Sequence, residues 1–192
     1  MKQEQKNYVP DKSEAAYHEA GHAVTGLMFY PPVELVSIKT EVVEGKSVRG
    51  RTVCEFPFPD LGDPSNRKIF KEYLKIIINS LSGKFCQSTV NGVMDEVGAR
   101  DDYEFLDLYI FGQEYVCLQP LWNDITRDFC TNLEFMEMVS IVAKELHEKE
   151  LLTGKELDLL IKDKLFDPEP LLEIMAEKYH TKYLACKKLF TI

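Results

Sequence analysis

A chain of 192 residues is long enough to bury one substantial core, and 45% hydrophobic with 29% charged residues is the composition of an ordinary globular domain. Lys and Arg number 23 against 32 Asp and Glu, a formal net charge of −9 with no basic stripe, so nucleic acid is excluded as the expected partner. No window approaches the roughly 18 apolar residues of a bilayer span, which excludes membrane insertion. The polar start MKQEQKNYVPDKSE lacks the apolar core of a signal peptide. Cys54, Cys86, Cys117, Cys130 and Cys186 are odd in number and never form C-x-x-C, as expected of reduced thiols in the cytoplasm.

A single domain is expected over residues 1–192, mainly α in an α+β class, with 1–10 a flexible lead-in and 168–192 a C-terminal helix. Asp11 and Glu14 fit a capping box that opens a helix, and Pro31-Pro32 closes it after Tyr30 because neither proline donates the next backbone hydrogen bond. From Val33 to Thr40 the pattern becomes β-branched and alternating, which predicts a strand. A turn at Glu44 to Lys46 and a second strand from Val48 to Phe56 would complete a hairpin before Pro57, Pro59, Gly62 and Pro64 break the chain. Asp63 or Ser65 is the expected cap of a helix reaching Val90, with Ile69, Phe70, Tyr73, Leu74, Ile77, Ile78 and Leu81 at core spacing. A carboxylate-dense turn, Asn91 to Asp102, precedes an aromatic helix from Tyr103 to Cys117. One long helix is expected from Asp124 to Glu150. Thr153 and Glu156 cap another to Phe166, and Leu171 to Phe190 forms the last.

The first helix contains AYHEAGHAV, with His18, Glu19 and His22 in the order H-E-x-x-H. Residues four apart on a helix share a face, so the two imidazoles can reach one ion, and the glutamate after the first ligand can take a proton from water at the ion's open position. Ala15, Ala16, Ala20, Gly21, Ala23, Val24 and Gly26 surround the motif, which implies a buried helix in close contact with its neighbours. The predicted chemistry is metal-assisted hydrolysis.

Other motifs carry less. Gly45-Lys46-Ser47 lacks the earlier glycine of a phosphate-binding loop, since Thr40 stands there, and ATP binding is excluded. A metzincin would need a glycine and a third histidine after His22, but positions 25 and 28 are Thr25 and Met28. His147 and His180 sit among charged residues and read as solvated surface. The third ligand is then expected among Asp95, Glu96, Asp101 and Asp102, between which spacing does not choose.

AYHEAGHAV resembles the zinc motif of the FtsH-type ATP-dependent zinc metalloproteases. Further stretches are similar to that family in the same order: VELVSIKT with RGRTVCEFP, LSGKFCQ, VGARDDYEFLD and LHEKELLTGKEL. The resemblance implies a helical zincin-like protease domain with a small hairpin or sheet beside the zinc helix. It implies zinc held by His18, His22 and Asp102, with Glu19 as catalytic base and Asp101 at a non-ligand position. Members carry a membrane anchor and an ATPase module, neither of which reads in these residues. A polypeptide substrate, a separate ATPase or unfoldase, and a homo-oligomer are the partners the likeness brings into view. Cys86 and Gln87 replace the family's acidic pair, and with the missing ATPase they leave an alternative: a non-catalytic, zinc-binding regulatory or adaptor domain.

Overall fold

The computed structural model describes residues 11–43, 46–54, 61–92, 100–106 and 115–190. Helix α1, Lys12–Phe29, begins in the expected capping box: Asp11 Oδ1 accepts from the Glu14 amide at 2.9 Å, and Glu14 Oε2 accepts from the Asp11 amide at 3.0 Å. These bonds satisfy amides that have no partner inside the helix. The helix stops at Tyr30, ahead of the two prolines.

Strands β1, Val33–Val43, and β2, Lys46–Cys54, pair as the expected antiparallel hairpin. A third strand, β3, Leu151–Thr153, adds antiparallel to the other side of β1, giving the order β2-β1-β3. Three residues show no period, which is why pattern alone missed β3. Only its pairing with Leu35, Val36 and Ser37 reveals it.

Helix α2, Arg67–Asn91, is capped by Asn66, whose Oδ1 accepts from the Lys68 amide at 2.9 Å, rather than by Asp63 or Ser65. Asp63 instead accepts from the Ser65 amide at 3.0 Å and makes the turn before the helix. Helix α3, Arg100–Leu106, starts earlier than the expected Tyr103, and 107–114 of that expected aromatic helix lie outside the described residues. The single helix expected from 124 to 150 is two, α4, Tyr115–Cys130, and α5, Leu133–Lys149. Asn132 divides them because its side chain accepts from the Phe135 amide at 2.9 Å and caps a new start. Helix α4 contains Pro120 in its second turn. Helix α6, Gly154–Ile161, opens with the expected Thr153–Glu156 box and passes into a 3₁₀ turn at Lys162–Lys164 short of the expected Phe166. Helix α7, Glu169–Phe190, starts two residues earlier than expected, with Pro170 in its first turn, where a missing donor costs nothing.

The molecule is mainly helical with one small antiparallel sheet, as expected of its composition and patterning. Helix α1 packs chiefly on α2 and α5. Ala16, Ala20, Ala23 and Val24 are buried, as are Ile77, Ile78 and Leu81 of α2 and Phe135, Val139 and Val142 of α5. Gly21 brings α1 close to α2, since a Cβ there would lie 2.9 Å from the Ser82 carbonyl oxygen. That proximity lets the side chains of one helix work against the backbone of the other.

Candidate metal centre

His18 and His22 project from α1 toward α2, where the chain provides room by omission. A Cβ on Gly83 would stand 2.4 Å from His22 Nε2 and 2.8 Å from His18 Nε2, so only glycine fits opposite the imidazoles. The two rings meet edge-on with centroids 4.8 Å apart.

Each outer nitrogen is committed. His22 Nδ1 donates to the Asn79 main-chain carbonyl at 2.8 Å, and His18 Nδ1 donates to Gln87 Oε1 at 3.0 Å. A carbonyl oxygen only accepts, so the proton sits on Nδ1 and a neutral ring offers its Nε2 lone pair inward. Asn79, Gly83 and Gln87 are spaced by four on α2, one face serving both histidines.

The two Nε2 atoms lie 3.1 Å apart, and each is 3.5 Å from one Asp102 carboxylate oxygen. Two lone pairs at that separation repel unless a cation lies between them. Asp102 reaches the pair from α3, and its Oδ2 is buried without a hydrogen-bond partner. One donor atom from each of the three residues lies within 4.8 Å of the others. Ligands about 2.0–2.1 Å from a tetrahedral zinc are roughly 3.3 Å from one another. Two nitrogens, one orphaned carboxylate oxygen and a glycine-made space therefore fit a zinc ion.

Protons respond to the same arrangement. Burial pulls the His22 pKa down, but the Asp102 carboxylate, helped by Glu19 and the Asn79 carbonyl, outweighs it and raises the pKa from 6.5 to about 9. The cluster thus gathers positive charge even when a proton is the only cation offered.

Glu19 is buried and turns toward the sheet. Thr52 of β2 donates its hydroxyl to Glu19 Oε2 at 2.8 Å, and Gly50, at φ +96°, leaves space where a Cβ would fall 2.3 Å from Oε1. Burial raises the Glu19 pKa, opposed by His18, His22 and the Thr52 hydroxyl. A carboxyl so tuned exchanges protons nearer neutrality than an exposed one.

The structure thus brings together His18, His22 and Asp102, with Glu19 on the adjoining face of α1. Of the other acidic candidates, Asp95 and Glu96 lie outside the described residues, as does the Asp101 side chain. His147 is exposed as expected, whereas His180 is partly buried, with Nε2 bonded to the Ser65 carbonyl at 2.9 Å, because α7 packs against the start of α2. Sequence reasoning missed Asn79, Thr52 and the spatial role of Gly83. Asn79 acts through its main chain and has no side-chain signal, while Gly83 and Gln87 stand in the LSGKFCQ stretch without their partners being evident. A scan against protein-family models finds no match for the chain, and a search of curated proteins finds none.

Proposed function

We propose that this chain is a zinc-dependent peptidase of the FtsH type, with His18, His22 and Asp102 as ligands and Glu19 as general base. One observation carries the reading: two imidazoles whose Nδ1 atoms are committed elsewhere turn their Nε2 atoms toward each other and toward a carboxylate whose Oδ2 is buried without a hydrogen-bond partner. Bound zinc supplies Lewis acidity, polarising a carbonyl and acidifying water. Glu19 takes the water's proton and delivers it to the departing amine, while Thr52 holds its other oxygen. Strand β2 pairs only with β1 among the described residues, and its other edge is where this function would have an extended peptide add by main-chain hydrogen bonds.

The reading takes flexible polypeptides as substrates in the cytoplasm, with a separate ATPase unfolding folded ones. No helix among the described residues is long and apolar enough to cross a membrane. Elemental analysis is expected to find about one zinc per chain, with chelator-sensitive cleavage of casein. Glu19→Gln should keep the zinc and lower cleavage at least ~100-fold. Unchanged turnover would sink the assignment of Glu19, and zinc without any cleavage by the parent protein would leave a regulatory zinc domain.

A further inference from the structure

Asp102 reaches the histidine pair from α3, a helix of seven residues. So short a helix does not hold its own shape in water, so its ligand can be no better placed than its packing allows. The residue after Asp102 is Tyr103, buried at 8% exposure, and Leu106 is fully buried one turn on. Tyr103 also stands in a polar chain. Its hydroxyl accepts from Lys84 Nζ on α2 and donates to Asn123 Oδ1 on α4 at 2.9 Å.

Lys84 is fully buried. An ammonium without water is costly unless hydrogen bonds and ring faces replace the solvent. Here Nζ meets the Tyr103 hydroxyl and lies 4.8 Å from the centroid of the same ring and 5.8 Å from that of Phe85. Its stabilisation therefore runs in part through the neighbour of the third ligand. Lys84 also follows Gly83, so a single turn of α2 makes room for the imidazoles and anchors the helix that brings the carboxylate.

We propose that Lys84, Tyr103 and Asn123 act as a positioning chain that clamps α3 between α2 and α4 and sets the metal affinity of the centre by aiming Asp102 at His18 and His22. The inference rests on the metal-centre reading. None of the three is a ligand. Each acts through the placement of Asp102.

The test uses full-length protein stripped of metal and titrated with zinc chloride against a chromophoric chelator, with cobalt(II) absorption as a report on ligand geometry. Tyr103→Phe keeps the ring and removes the hydroxyl, and should raise the zinc Kd ~10–100-fold, the range of losing a group that orients a ligand. The cobalt band should move and weaken as the carboxylate leaves. Asn123→Ala should act in the same direction, and the double variant should fall short of the sum because both cut one chain. Lys84→Met tests the third link, and the exposed His147→Ala should leave Kd unmoved. If Tyr103→Phe does not fold, Asn123→Ala, at a partly exposed site, carries the test. A Kd within twofold of the parent and an unchanged cobalt spectrum, even with a lowered melting temperature, would overturn the positioning role alone. A parent protein that binds no zinc would overturn the metal centre and this inference with it.

Discussion

Two glycines shape the proposed centre as firmly as His18, His22 and Asp102 do. Gly83 leaves the space into which the imidazoles turn, and Gly50 leaves the space beside the Glu19 carboxylate. Neither is a helix-breaking or turn signal in the usual sense. Gly83 sits mid-helix, where it costs ~1 kcal/mol relative to alanine, and a methyl group there would meet His22 Nε2 at 2.4 Å. Gly83→Ala is therefore expected to favour the helix locally yet raise the zinc Kd at least tenfold, because the ring must leave the Asn79 carbonyl to make room. Gly92→Ala is the control: among the described residues nothing lies within 4 Å of where its Cβ would stand, and its φ of +71° makes it a strain site of ~1 kcal/mol with zinc binding untouched. Equal zinc affinities in the two variants would contradict the role given to Gly83. His18, Glu19 and His22 were legible in the sequence because one helix fixes their spacing. Spacing left Asp102 as one of four candidate carboxylates and only the family resemblance singled it out, since its approach depends on α3 packing against a different helix.

Among the elements, caps decided what periodicity left open. Asp63, Ser65 and Asn66 all carry oxygens able to start α2, and they stand within four residues of one another. The chain uses Asn66 because Asp63 is spent on the Ser65 amide and His180 of α7 holds the Ser65 carbonyl. Asn66→Ala should cost about 1 kcal/mol in urea unfolding, the usual loss for a cap. Ser65→Ala should cost clearly less, since its hydroxyl accepts from Lys187 at 3.2 Å and bonds the Asp63 carboxylate in the turn ahead of the helix rather than a free helix amide. A reversal of that order would return the cap to Ser65. The break between α4 and α5 follows the same logic: Phe129 and Phe135 are both fully buried, with ring centroids 5.0 Å apart, and the chain turns at Thr131–Asn132 to bring them together.

For the molecule as a whole, the centre ties stability to pH. Without metal, His22 has a folded pKa of about 9 against an ordinary 6.5, so its proton binds the folded state more tightly. That contribution is fully present below pH 6.5 and is lost as pH rises through about 9. Glu19, whose pKa is also raised, works in the same direction, because burial favours its neutral form. Zinc needs the deprotonated ring and gains as protons leave. Melting temperatures taken with chelator should fall between pH 6.5 and pH 9, and the gain on adding zinc should grow over that interval. A zinc-induced gain that shrinks with rising pH would mean that His22 does not bind the metal.

By itself the sequence determined the helical class, the hairpin, the buried first helix and the H-E-x-x-H face. All of these are local: a capping box, a pair of prolines and a four-residue spacing act within a turn or two of chain. Tertiary structure alone decided that the Asp102 carboxylate stands beside the two imidazoles, which α2 groups hold those rings, that Leu151–Thr153 pairs with β1, and that Thr52 and Gly50 bracket Glu19. These partners lie 31 to 118 residues apart along the chain. No periodicity spans such separations, and only burial of the shared core brings them within bonding distance.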